Sequence, residues 1–484
     1  MTALDLSGPP ADAGLGPALA MQGAAGEDAL PASPVGAAGA RRPLDLIAVV
    51  RQILTGENNA AQRLAGIVFA IRVVSAAVTF GSQIVLARWM GDYDFGIYVG
   101  VWTWLLLAGD TVHLGMPLIA QRFIPDYTHR NRWAELRGFL IGSRWITFGL
   151  ATAFATLGAA AVMAASPWLD PHAVLPFYLA CAALPFYSLA LMCDALARSN
   201  NWMVLALAPH SLLRPLLLIA LLAAGHGAGY PIDATTTMLA LAVATWASAL
   251  LQLTLVDRRL AATVPAGPRR YEVGRWFAVA LPIVVVWSLY TMLCYADVLV
   301  LQQFRPAEEV AHYYAAVKTL MLVGIIHFSI SAASGHRFTA LHVAGERGAL
   351  ADFVAQSIRW TFWPSLAATI VMLAVGQPLL RLFGPDFGAG YPFMLILAVG
   401  VMARAAVGPA ERLLNMLGEQ RICAAIYAAA FALNAGACFA LAPRFGGLGT
   451  AVATSAAIVL ESTLLSLAAN RRLGIHMFAW RGRR

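Results

Sequence analysis

RRLAATVPAGPRRYEVGR, residues 258–275, is the stretch on which the architecture turns. It sets Arg258, Arg259, Arg269, Arg270 and Arg275 between two long apolar halves. Before it lie apolar runs at 64–87, 95–118, 139–164, 174–196, 203–225 and 236–256. After it lie runs at 277–302, 310–334, 361–383, 391–409, 422–441 and 447–469. Each is long enough, at about 20 residues, to carry a helix across the hydrocarbon core. The reading is an all-α membrane protein of about twelve transmembrane helices, in two six-helix lobes around a central cavity.

Composition agrees. Of the 484 residues 60% are apolar and only 12% charged, about half the charge that a soluble domain carries, and mean hydropathy is +0.70. The net charge of +8 is almost all arginine, with Lys318 the only lysine. The arginines sit between apolar runs, which points to a lipid surface as their partner and away from nucleic acid.

Charge also orients the chain. Arg122, Arg130, Arg132 and Arg137 follow the second run, the basic stretch follows the sixth, and Arg337, Arg347 and Arg359 follow the eighth. Arg412 and Arg421 follow the tenth, and RRLGIHMFAWRGRR closes the chain. The alternate loops carry at most one arginine each. The expectation is a multi-pass protein of the bacterial inner (plasma) membrane with both termini cytoplasmic.

The expected organisation is a disordered cytoplasmic tail over 1–43, an amphipathic interfacial helix over 44–62, an N-terminal lobe over 63–257 and a linker over 258–275. A C-terminal lobe over 276–470 and a basic cytoplasmic tail over 471–484 follow. The tail is rich in Ala, Gly and Pro and buries too little to fold. Leu46, Val49, Val50, Ile53 and Leu54 then recur at helical spacing. The five cysteines lie in apolar runs without CxxC spacing, so neither a disulfide framework nor a metal site is expected. No cofactor is expected. Between the halves there is a weak internal repeat: GIYVGVWTWLLLAG (96–109) aligns with AHYYAAVKTLMLVG (311–324), pairing Tyr98 with Tyr313 and Gly100 with Ala315.

Four further stretches carry a family resemblance: VLARWMGDYDFGIYVGV (85–101), DTVHLGMPLIAQRFIPD (110–126), YADVLVLQQFRPAEEVAHYYAAVK (295–318) and LLRLFGPDFGAGYPFMLILAVG (379–400). Over residues 60–472 the chain resembles the polysaccharide-transporter branch of the multidrug/oligosaccharidyl-lipid/polysaccharide exporter superfamily, the O-antigen and exopolysaccharide-repeat flippases. That resemblance implies transport of a lipid-linked oligosaccharide, with membrane lipids, polysaccharide polymerase and export machinery as partners. The related lipid II flippases commonly have fourteen helices, and nothing here supports two extra ones.

Ionisable groups within the apolar runs are the candidate site residues, because each costs at least about 2.5–3.5 kcal/mol to insert at mid-bilayer. Arg214 falls near the middle of the fifth run with His210 one turn before it. Lining the cavity and pairing with a buried carboxylate are both open for Arg214. Lys318 stands among Tyr313, Tyr314 and Thr319, and three roles fit it: cavity cation, snorkelling cation, or partner of Asp297. Arg72 either snorkels to the nearer headgroups or serves function, and Asp110 is placed to pair with it. Glu461 is a proton-relay candidate or a structural carboxylate. Asp194 and Arg404, near run ends, read as interfacial. Most tryptophans mark the membrane interfaces, with Trp102 and Trp104 deeper.

The function expected is a flippase moving a polyprenyl-diphosphate-linked oligosaccharide from the cytoplasmic to the periplasmic leaflet by alternating access, for O-antigen (lipopolysaccharide) or exopolysaccharide synthesis. Fixed cations would meet its diphosphate. An organic-cation extruder of the same superfamily is the alternative. A membrane polymerase or acyltransferase fits less well, since no His/Asp pair forms a catalytic site and the outer loops are short, so the chain is not expected to be an enzyme.

Overall fold

A computed structural model describes residues 60–475 and Met477, with side chains from Ile71 onward. The expected tail at 1–43, the interfacial helix at 44–62 up to Asn59, and the terminal basic tail beyond Met477 lie outside the described residues.

Among the described residues nine helices are long and apolar enough to cross a membrane. Two of them hold two spans each. Ala60–Val112 breaks at Gly91 (φ 80°) and Gln420–Leu473 breaks at Gly446 (φ 58°). Both are backbone conformations that glycine takes without a Cβ penalty. Arg347–Ala374, ninth in chain order, completes the twelve, with Arg347, Asp352 and Arg359 lowering the hydropathy of its first half. The protein is therefore an all-α membrane protein of twelve spanning helices in two six-helix lobes around a central cavity. The others are Trp133–Ala165, Pro171–Ser199, Met203–Gly227, Ala234–Thr263, Val273–Phe304, Ala307–Val343 and Tyr391–Val407.

Several helices outrun the bilayer at the arginine-rich end. Ala307–Val343 has 37 residues, about 55 Å of helix against about 30 Å of hydrocarbon. The long gaps expected after the second, sixth and eighth runs are accordingly mostly helical. The amphipathic helix Met116–His129 fills the first, burying Met116, Ile119, Ala120, Phe123, Ile124 and Tyr127 on one face. The apolar run at 361–383 does not form one span: its helix ends at Ala374, and Gly376–Arg381 is a separate turn.

The core has different connectivity at the two ends. Toward the arginine-poor end one continuous cluster crosses both lobes and includes Leu86, Phe95, Tyr98, Leu301, Tyr313 and Phe387, none more than 2% exposed. Tyr98 and Tyr313, paired by the repeat, are both inside it. Toward the arginine-rich end the lobes have separate cores. One holds Phe139, Met192 and Trp276; the other holds Phe338, Val354 and Tyr427. The bundle is fused at one end and parted at the other.

The inter-lobe linker is tied to the first lobe. Arg137 donates from Nε to the Pro268 carbonyl (2.8 Å) and from a terminal nitrogen to Pro265 (2.7 Å). Glu272 accepts from Tyr127 Oη (2.9 Å), Arg132 (2.9 Å) and Arg275 (3.0 Å). Trp276 and Ala280, assigned by charge pattern to the second lobe, pack into the first-lobe core. The packing boundary thus falls inside the seventh span, near Pro282, where the helix lacks a backbone donor.

Candidate functional site

Where the lobes part, two adjoining cavities open between them, of about 400 and 300 Å³. Arg72, Trp287 and Phe328 line both, so together they form one vestibule. The first-lobe part is walled by Asp110 and His113 of the second span, Asp194 and Arg198 of the fourth, and His210 and Ser211 of the fifth. The second-lobe part is walled by Tyr290, His327, Arg404, Glu411, Arg412, Tyr427 and Glu461, among others. At His210 the fifth span is under-wound into a π-turn, Pro209–Leu213, introduced by a proline that cannot donate to the helix.

The vestibule ends short of the other face. Phe95 stands 5.9 Å from Phe387 and 6.2 Å from Tyr314, ring centre to ring centre, and Phe80 packs edge-on to Phe383 at 5.7 Å. His312 Nε2 lies 3.4 Å from an Asp92 carboxylate oxygen, tying the eighth span to the second. This aromatic plug closes the arginine-poor end.

Of the cations named from sequence, Arg72 and His210 line the vestibule, while Arg214 and Lys318 lie outside its lining, toward the plug. Arg214 sits with its guanidinium 5.0 Å from the Trp102 ring centre and 5.5 Å from that of Tyr187. Trp102 is eight residues nearer the plug than Asp110 on its helix, a rise of about 12 Å, so Arg214 stands above the vestibule. Lys318 Nζ lies 4.8 Å from the Tyr314 ring centre and 3.8 Å from Met321 Sδ. Arg72 packs over Phe328 at 4.9 Å and lines both cavities, with no snorkelling needed. His210 lines the first-lobe cavity, its Nδ1 3.3 Å from the Ala206 carbonyl.

Three pairings raised by the sequence do not form. Asp297 accepts from Tyr313 Oη (2.9 Å) and from the Val298 amide (2.8 Å); Lys318 makes no ion pair with it. Asp110 faces the first-lobe cavity, and no ion pair joins it to Arg72, which lies on an aromatic ring instead. Arg214 likewise has an aromatic seat and makes no close ion pair among the described residues, Asp110 being the carboxylate that feels its charge. Glu461 is different: 4% exposed at its side chain, it pairs with Arg404 at 2.6 Å.

Arg404 and Asp194 therefore correct the interfacial reading. Both lie near span ends, yet both line the vestibule, and Asp194 binds Arg198 at 2.8 Å. Depth along a helix treats the membrane surface as a plane, whereas the cleft between lobes carries the polar boundary inward. Arg198, His327, Glu411, Arg412 and Tyr427 escaped the sequence reading for the same reason. Arg144, inside the third span, also went unremarked; it is an ion-pair partner of Asp257 on the sixth.

The Polysaccharide biosynthesis protein family model matches residues 63–334 and the MatE model residues 282–440. No curated protein sequence matches the chain. Among solved structures it is similar to a multidrug resistance MATE family transporter of the MOP superfamily in an inward-facing conformation. That pair has a TM-score of 0.67 at 14% identity, covering 88% of this chain and 98% of the other. The lipid II flippase MurJ, in an inward closed conformation, matches at TM-score 0.64 and 12% identity, over 84% of this chain and 87% of its own. A MOP superfamily transporter from Pyrococcus furiosus matches at TM-score 0.62 and 12% identity, over 87% and 97%. With the first model covering more than half its length and its fold shared with transporters of that superfamily, the chain belongs to the Polysaccharide biosynthesis protein family.

Proposed function

We propose that the protein is a flippase that carries a polyprenyl-diphosphate-linked oligosaccharide from the cytoplasmic to the outer leaflet of a bacterial inner membrane, serving surface polysaccharide synthesis. The arginine-rich end and both termini are cytoplasmic in this reading, so the vestibule faces the cytoplasm.

The observation that carries it is how the cations are held. Arg72, Arg214 and Lys318 each rest on an aromatic ring, and none forms an ion pair among the described residues. A cation seated this way is stabilised by about 0.5–2 kcal/mol while keeping its charge and most of its N–H donors for an incoming anion. Arg72 lines the vestibule and Arg214 and Lys318 stand beyond it toward the plug, so a diphosphate entering between the lobes meets Arg72 first and the other two as the lobes move. The polyprenyl tail stays in lipid, since its transfer to water is opposed by about 0.8 kcal/mol per CH₂. Rocking of the lobes then opens the plug and closes the vestibule.

Arg72→Ala, Arg214→Ala and Lys318→Ala, each introduced into a strain lacking the gene, test this by assay of surface polysaccharide and of protein in the membrane. Loss of export at normal membrane abundance is expected. Normal export from all three overturns the proposal.

A second reading has one observation in its favour: Asp110 and Glu411 line the vestibule without an ion pair, as an organic-cation extruder would require. Ethidium efflux that depends on Asp110 would establish it.

A further inference from the structure

The second-lobe cavity has a chemistry that the diphosphate does not use. Four polar atoms on its walls are buried and lack a hydrogen-bond partner: Tyr427 Oη, His327 Nδ1, Arg412 Nε and Asn415 Oδ1. They come from the eleventh span, the eighth, and the short helix Ala410–Met416. Tyr427, 3% exposed, holds its hydroxyl beside the Glu411 carboxyl at the cavity wall. Buried polar groups are nearly always satisfied, and each unsatisfied one costs about 1–3 kcal/mol. Four around one cavity make a preformed set of both donors and acceptors.

The same cavity also carries aromatic rings on its lining. Trp287 and Tyr290 have ring centres 6.0 Å apart, and Tyr290 and Tyr427 5.3 Å apart. These rings, tilted 47° and 62° to one another, make a faceted aromatic cluster beside mixed donors and acceptors, which matches a pyranose, whose C–H face is apolar and whose edge carries hydroxyls that both donate and accept. An acyl chain would leave the polar atoms unmet, and a phosphate would not satisfy the acceptor Asn415 Oδ1. Arg72 lies on the boundary of the two cavities, so a phosphate bound there places the group attached to it at the entrance of this one.

We propose that this cavity is a carbohydrate subsite for the sugar next to the diphosphate. Trp287, Tyr290 and Tyr427 take its apolar face, and His327, Arg412 and Asn415 take its hydroxyls. The mixed donors and acceptors match the hydroxyls of a neutral hexose or N-acetylhexosamine, whose binding needs no counter-charge. The inference rests on the flippase reading but makes a separate claim about specificity. A site built to hydrogen-bond hydroxyls discriminates sharply against a ligand lacking them, because its own polar groups then stay unpaired.

The test measures binding to the full-length protein in detergent, by quenching of intrinsic tryptophan fluorescence. The probes are polyprenyl diphosphate alone and the same lipid carrying N-acetylglucosamine, galactose or glucuronic acid. The wild type should bind at least one neutral glycolipid about tenfold more tightly than the bare lipid. Tyr427→Phe and Asn415→Ala should each bring that ratio towards one, weakening the neutral glycolipids more than the bare lipid. Arg72→Ala should weaken all four probes. A wild type without preference for either neutral sugar, or variants that lose affinity for every probe alike, overturns the sugar subsite and leaves the flippase reading standing. Failure of any probe to bind, or indifference of all probes to Arg72→Ala, sinks the flippase reading itself.

Discussion

Gly96 of the second span lies so close to the backbone of Ala307 in the eighth that a Cβ at position 96 would sit 1.8 Å from the Ala307 carbonyl oxygen. Two helices from different lobes thus touch backbone to backbone beside the Phe95 plug. Only glycine permits that approach, and it is possible only while this end is shut.

Gly96→Val should therefore disfavour the closed plug and shift the protein toward opening at that end. Cysteine accessibility reads this directly, using Ser331→Cys as a vestibule reporter in a chain whose five cysteines are replaced by serine. Labelling by a membrane-impermeant maleimide from the arginine-rich side should fall about tenfold, the equivalent of about 1.4 kcal/mol. Unchanged labelling would show that the contact does not govern closure.

The Arg404–Glu461 pair makes a stability prediction. Glu461 is buried and bonded at 2.6 Å, so Glu461→Gln strands a guanidinium in the second lobe. Losing one partner of a fully buried pair costs about 3–5 kcal/mol, and the loss here is smaller because the Arg404 side chain is 36% exposed, whereas replacing both by apolar groups is often neutral. Thermal unfolding in detergent should show a marked loss for Glu461→Gln and substantial recovery on adding Arg404→Met. A loss no smaller in the double variant would mean the pair is not an isolated unit.

The linker clamp titrates. Burial works to raise the Glu272 carboxyl, but hydrogen bonds from Tyr127 and Arg275 and the Arg132 charge outweigh it and hold it below its ordinary 4.5. A carboxylate with a depressed folded pKa contributes stability that is full above its unfolded pKa and is lost as pH falls through the folded value. The melting temperature should thus drop between pH 5 and about pH 3, and Glu272→Gln should flatten that part of the drop. A Glu272→Gln profile parallel to wild type would remove the clamp from the account.

The number of spans and the two lobes were legible in the sequence because each depends on local quantities: run length and loop charge. The pairings were not. Asp110 was read against Arg72, and Asp297 against Lys318, on proximity in the chain pattern, yet Phe328 and Tyr314 are the seats of the two cations and Tyr313 is the donor to Asp297. Aromatic partners give no charge signal to look for. Arg404 and Asp194 were placed at the interface because nothing in one helix records that its neighbour in the other lobe leans away.

Translocation in reconstituted vesicles tests the central claim most directly. Fluorescent polyprenyl-diphosphate oligosaccharide is placed in the outer leaflet, and its disappearance from the reach of a membrane-impermeant quencher is followed in time. The wild-type protein should move it, and Arg72→Ala, Arg214→Ala and Lys318→Ala should each slow movement by about tenfold or more, with the fold intact by melting temperature. Movement at the wild-type rate in all three variants, or none by the wild type, would contradict the account.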